Sequence, residues 1–151
     1  MIKTFNPDFE QDIREKLEQQ GFMKLLGFDI TKIEVGRIEG ELALEEKHQQ
    51  HKGFTHGGVI ATLSDIVAGF AAASLVPKGA SVVTAELKVS YFHPGVGEKL
   101  LAKGYVIKPG RRLHFCEAEI YVEKENNDPL LIAKATATMA TITPGDIQRR
   151  D

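Results

Sequence analysis

The hydrophobic positions of this chain fall into two rhythms, one of period near four and one of period two. Phe9, Ile13 and Leu17 recur every fourth residue, which predicts a short amphipathic helix over Pro7 to Gln20 with Gly21 as its stop. From Phe28 to Glu34 and from Arg37 to Leu44, apolar and polar residues alternate around Gly36, predicting two strands joined by a tight turn. Glu45 to Thr55 is polar and histidine-rich and reads as a loop. Gly58 to Val76 is apolar on most faces and predicts one long helix, ended by Pro77 to Ala80. Alternation then returns over Ser81 to His93. Val83, Ala85, Leu87, Val89 and Tyr91 fall on one side, and Thr84, Glu86, Lys88 and Ser90 on the other. Turns at Pro94-Gly95, Pro109-Gly110 and Asn126-Asn127-Asp128-Pro129 set off Lys99 to Lys108, Arg111 to Lys124 and Leu130 to Thr143. Such spacing predicts an antiparallel meander.

A helix that is apolar nearly all round needs cover on most sides, so a strongly curved sheet must wrap it. The expectation is an α+β fold in which one central helix is enclosed by antiparallel strands, as a single domain over residues 1–151 with a short N-terminal helix. Such a sheet leaves edge strands, which a second copy can cover by continuing the sheet.

Composition removes several classes of function. The net charge of −2, with no basic block, gives no electrostatic case for nucleic acid. One cysteine, Cys116, excludes an intramolecular disulfide and suits a reducing compartment. Met1 to Glu10 has no apolar core of signal-peptide length. The weakly polar run from Gly57 to Pro77 is broken by Thr62, Ser64, Asp65 and Ser74, which argues against a membrane span. A soluble cytoplasmic protein is expected.

Candidate chemistry concentrates at the start of the long helix. His56-Gly57-Gly58 precedes it, and Asp65 follows nine residues after the histidine in a segment built for burial. Burying an unpaired carboxylate costs several kcal/mol or keeps it protonated, so an acid there suggests use. Asp65 reads as a general base or nucleophile, or more plainly as a paired or solvent-facing acid. Gly57 and Gly58 offer N–H groups to an oxyanion, or simply make a sharp turn into the helix. His56 orients the loop, donates to a carbonyl, or packs. Thr62, Asp65 and Gly69 form a narrow stripe of polar and small residues with room beside the carboxylate for a substrate or a partner helix.

Gln49 and Gln50 bring amides into the loop before the glycines. His48 and His51 fit no zinc spacing, and no metal is expected. Cys116 lies mid-strand and reads as packing. Lys108, Arg111 and Arg112 flank a turn, either as a solvated basic turn or as a holder of the phosphates of a nucleotide-like carrier. Phe54, Phe70, Tyr91 and Phe92 read equally as core or as acyl-pocket lining.

Gly53-Phe54-Thr55-His56-Gly57-Gly58 followed by Thr62-Leu63-Ser64-Asp65 resembles the hot-dog-fold acyl-CoA thioesterases of the PaaI-like, phenylacetate-pathway type. Val89-Ser90-Tyr91-Phe92-His93-Pro94-Gly95 and the strand order are also similar to that family, and the likeness runs roughly from Gly27 to Thr143. The resemblance implies a hot-dog fold, with homodimers often paired into tetramers and active sites shared across the dimer interface. It implies hydrolysis of an acyl-CoA without a cofactor, CoA being part of the substrate. Asp65 would be the base or nucleophile, Gly57 would polarise the carbonyl with His56 nearby, and Thr84 would help position water or the acid. Gly58, Thr62, Phe54, Arg111 and Arg112 would then contact substrate. The chain departs from the family at Gln50, where many relatives carry Asn. Two other functions stay open: a non-catalytic acyl-CoA-binding module and a hydratase acting on acyl thioesters.

Overall fold

The computed structural model describes residues 1–125 and 127–148, so Asn126 of the predicted turn lies outside the described residues. The N-terminal periodicity yields α1, Phe9–Glu18, with Ile13 as its buried residue. Gly21 does not end the helical region but begins a second short helix, α2, Gly21–Leu26. The stop is Gly27, whose φ of 81° lies in the left-handed region that glycine enters without strain, and whose N–H returns to the Met23 carbonyl at 2.8 Å.

Two strands follow, β1 (Phe28–Glu34) and β2 (Arg37–Ala43), then a 3₁₀ turn at Glu46–His48 inside the predicted loop. The long helix, α3, spans Gly57–Ala73. It begins one residue earlier and ends three earlier than the apolar run suggested. Four strands complete the sheet: β3 (Ser81–Tyr91), β4 (Lys99–Lys108), β5 (Leu113–Glu123) and β6 (Leu130–Ile142). A last short helix, α4, occupies Pro144–Ile147. Among the described residues, no helix is long and apolar enough to cross a membrane.

The sheet is antiparallel, in the order β1-β2-β4-β5-β6-β3. It is therefore not the meander that the turn signals predicted. β3 sits at the far edge beside β6, because α3 crosses the inner face between β2 and β3 and carries the chain to the other side. The curved sheet around one central helix is the expected architecture.

Small residues let the helix sit deep. Ala102, Ala118, Ala133, Ala135 and Ala137 are buried in β4, β5 and β6 and pack in one core with Leu63, Val67, Ala68 and Ala71 of α3. Gly104 marks the closest crossing: a Cβ there would lie 2.4 Å from both the carbonyl carbon and the oxygen of Val67. That obstacle is helix backbone and cannot swing aside. Gly104→Ala is therefore expected to cost about 3 kcal/mol through forced displacement of α3. At fixed protein concentration this is a fall of roughly 6–12 °C in Tm. Unchanged thermal unfolding would show that the helix does not rest on this glycine.

The faces of β3 differ from the simple alternation. The pairing with β6 runs Thr84↔Met139 and then Glu86↔Thr138, so Ala85 is an extra residue in a bulge. Beyond the bulge Leu87 and Val89 pack against the core as predicted. Before it the faces are exchanged: Val82 joins the core, Val83 is exposed on the outer face, and Thr84 turns toward α3. One inserted residue inverts a period-two pattern, and here it aims a hydroxyl at the helix.

Candidate active site

Two grooves lie between α3 and β3, one toward each end of the strand. The first, of about 490 Å³, is lined by Asp65, Ile66, Gly69 and Phe70 of α3, Thr84 of β3 and Gln20 beyond α1. Asp65 is half-buried rather than enclosed in the core, since the sheet leaves the Asp65–Gly69 face of the helix uncovered. The burial cost anticipated from the sequence is thus avoided. Thr84 Oγ1 donates to Asp65 Oδ1 at 2.6 Å, which fixes the carboxylate and leaves Oδ2 without a partner among the described residues. Thr62, on the same helix face, turns its hydroxyl back to the Gly58 carbonyl at 2.8 Å.

The second groove, of about 340 Å³, is lined by Gln50, Phe54, Gly57, Tyr91 and Phe92 among others. Here the helix start is clamped. His56 occupies the N-cap position with extended backbone, and its Nδ1 accepts from the Gly58 N–H at 2.8 Å. This bond is the role that Ser, Thr, Asp or Asn usually fills. With Nδ1 accepting, the neutral ring carries its proton on Nε2, which becomes a donor. The Val59 and Ile60 N–H groups both return to the His56 carbonyl. Of the first-turn donors, only the Gly57 N–H has no acceptor among the described residues. Of the two glycines, then, Gly58 spends its N–H on the cap and Gly57 keeps its own unspent among the described residues.

Tyr91 holds the same turn from the opposite side. Its hydroxyl donates to the Gly57 carbonyl at 2.9 Å, and its ring lies 3.5 Å from where a Gly57 Cβ would be. The Gly57–Gly58 peptide is therefore gripped at its oxygen by Tyr91 and at its N–H by His56. From the sequence Tyr91 read only as core or pocket lining. Its 34-residue separation from Gly57 gives no local signal of this contact.

Gln50 lines the groove beside Gly57, but its side-chain Oε1 accepts from the Lys52 N–H at 2.7 Å. Gln49 makes an isolated bridge with Thr55. Arg111 and Arg112 line neither groove. Arg112 pairs with Asp146 at 3.5 Å, and Arg111 borders a third groove at the opposite end of α3. His48 is buried with both ring nitrogens committed: Nδ1 accepts from the Glu45 N–H at 2.9 Å, and Nε2 lies 2.7 Å from the Leu26 carbonyl. No group of three or more potential metal ligands occurs among the described residues. Burial pushes the Cys116 thiol up to about 12, which keeps it protonated and unreactive at neutral pH.

Within one chain, Gly57 and Asp65 do not converge. They stand eight residues apart on one helix, about 12 Å at 1.5 Å per residue. A donor and a base that act on one carbonyl must both lie within about 3–4 Å of the reacting atoms. Each groove therefore holds half of such a site.

The profile of the Thioesterase superfamily matches residues 52–127, which include the His56 turn, Asp65 and Thr84. Acyl-coenzyme A thioesterase 13 of Homo sapiens is 27% identical over 121 residues, covering 79% of this chain and 86% of that protein. The crystal structure of a thioesterase family protein from Silicibacter pomeroyi superposes with a TM-score of 0.87 at 32% identity, covering 89% of this chain and 98% of that one. The PaaI protein of the phenylacetic acid degradation operon of E. coli shares the fold, with a TM-score of 0.79 at 19% identity over 92% of this chain and 96% of its own. With the sheet-wrapped helix and the turn before it, these likenesses have one outcome: the chain is a hot-dog-fold member of the thioesterase superfamily.

Proposed function

We propose that this protein hydrolyses acyl-CoA thioesters to a free acid and CoA at a site completed by two copies of the chain. The observation that carries the reading is the pair of half-sites: a Thr84-held carboxylate in one groove and, in the other, the Gly57 N–H, the first-turn helix donor without an acceptor among the described residues. In this reading the thioester carbonyl oxygen accepts from the Gly57 N–H, with His56 Nε2–H beside it. The free Oδ2 of Asp65 takes a proton from water as the water oxygen attacks the carbonyl carbon. Collapse of the tetrahedral oxyanion breaks the C–S bond, and the thiolate leaves with the proton that Asp65 received. Direct attack by the carboxylate followed by hydrolysis of the resulting anhydride uses the same two groups. No metal or redox cofactor enters either route.

The placement of β3 supports the two-chain site. It is an edge strand, with Thr84 beside Asp65 at one end and Tyr91 beside Gly57 at the other. Antiparallel pairing of two β3 strands about a two-fold axis at Lys88, with Ala85 bulged out of the ladder, sets Thr84 opposite the partner's Tyr91. Asp65 then faces the partner's Gly57, and the symmetry produces two such sites. Exposed Val83, Ile107, Leu113 and Phe115 on the outer face of the sheet support further pairing of dimers into a tetramer.

The test is release of free thiol from short, medium, long and aromatic acyl-CoAs. Turnover of at least one class is the expected result. Saturable binding of every class without thiol release would instead make the protein an acyl-CoA-binding module and overturn the proposal.

A further inference from the structure

A third groove, of about 870 Å³, lies at the C-terminal end of α3. Leu75 is ten residues beyond Asp65, about 15 Å along the α3 direction. The N-terminal segment forms one wall and is tied down: Thr4 Oγ1 donates to the Ser74 carbonyl at 2.6 Å, and the Phe5 N–H to the Leu75 carbonyl at 3.1 Å. The size falls within the range of about 300–1,000 Å³ usual for small-molecule sites.

The lining is apolar except at two levels. Ile2, Leu75, Val76 and Pro77 supply hydrocarbon, and Lys3 and Arg111 add cations. Among the described residues neither cation is ion-paired and no acidic residue lines the groove. At the inner level stand His114 and Thr141, with His114 Nε2 and Thr141 Oγ1 2.9 Å apart. His114 is 3% exposed, and its Nδ1 is the one buried side-chain N or O atom, among the described residues, with no hydrogen-bond partner. Buried polar groups are nearly always satisfied, and leaving one unpaired costs about 1–3 kcal/mol. A buried histidine with an unpaired ring nitrogen, lining an apolar, cation-edged groove, points to a ligand.

We propose that this groove binds an amphipathic monocarboxylate. Its carboxylate accepts from His114 Nδ1–H, and its hydrocarbon tail lies along Ile2, Leu75 and Val76. The binding form is the tautomer in which the Thr141 hydroxyl donates to Nε2 and the proton sits on Nδ1, one of the two that the 2.9 Å contact allows. Burial lowers the His114 pKa, which keeps the unliganded imidazole neutral. Arg111 and Lys3 complement the ligand's charge. A phosphate dianion fits less well, because a single neutral N–H at the floor matches one carboxylate better than a doubly charged group. The inference is independent of the hydrolase reading, since it uses neither Asp65 nor Gly57.

The full chain labelled with ¹⁵N-histidine is titrated with sodium decanoate, decan-1-ol and coenzyme A, as wild type, Asp65→Asn and Arg111→Gln. Decanoate is expected to shift the His114 Nδ1 resonance saturably in both wild type and Asp65→Asn. Arg111→Gln is expected to weaken that binding about tenfold, and decan-1-ol to bind at least about tenfold more weakly than decanoate. The proposal is overturned by a His114 signal indifferent to decanoate, or by equal affinity for the alcohol. A signal moved by coenzyme A but not by decanoate would assign the groove to the carrier and equally overturn it. Loss of thioesterase activity in Asp65→Asn with decanoate binding intact would separate the two proposals.

Discussion

Replacing Asp65 with Asn is expected to lower kcat for acyl-CoA hydrolysis by about 10³-fold, within the range typical of general acid–base catalysis. The substitution removes the proton acceptor and little else. Asn keeps an oxygen that can accept from Thr84 Oγ1, now 2.6 Å from Asp65 Oδ1, so the side chain has a partner to hold it in place. The position is half-buried at the edge of a groove, so no cavity or unpaired core atom results. Thermal unfolding should accordingly match the wild type within a few degrees, and KM should change far less than kcat. Turnover close to wild type would remove Asp65 from the chemistry, whether as base or as nucleophile.

Gly57→Pro is expected to lower kcat by about 10²–10³-fold, the usual scale for loss of one oxyanion donor. Proline at the first helical position deletes a single N–H and leaves the helix otherwise suited, since its fixed φ already matches. The preceding residue tolerates it as well: His56 is at φ −60° and ψ 133°, the extended conformation that proline demands of its neighbour. A Cβ at this position meets Tyr91 at ordinary contact distance, 3.5 Å. This variant and Asp65→Asn together test the shared site. Each heterodimer of the two joins the intact Asp65 of one chain to the intact Gly57 of the other. An equal mixture that exchanges subunits freely should recover about a quarter of wild-type activity, from half the dimers with one of two sites working. No recovery after demonstrated exchange would confine the site to a single chain.

Much of this site was legible along the chain because its parts are local. The His56-Gly57-Gly58 turn and Asp65 belong to one helix, whose apolar run predicted α3 within a few residues at each end. The separation of Gly57 from Asp65 is also helix arithmetic. The strand segments emerged for the same reason, since turns and alternation are properties of neighbouring residues. What failed was alternation across Ser81 to Tyr91. Nothing in Val82-Val83-Thr84-Ala85 announces a bulge, and alternation alone puts Thr84 on the side opposite Leu87 and Val89, whereas the family resemblance implies a place beside the acid.

By itself, then, the sequence determined a helix that must be wrapped, strands to wrap it, and the turn and the acid proposed here for thioester chemistry. Each of these depends on side chains within a few positions of one another. Only the tertiary structure decided that β3 lies at the free edge, that Thr84 holds Asp65 across 19 residues and that Tyr91 holds Gly57 across 34. It also decided which glycine N–H stays free and that His114 Nδ1 is left unpartnered. Those outcomes follow from strand order and register. These are set when the whole sheet closes over α3 and every strand must place its small residues against the helix.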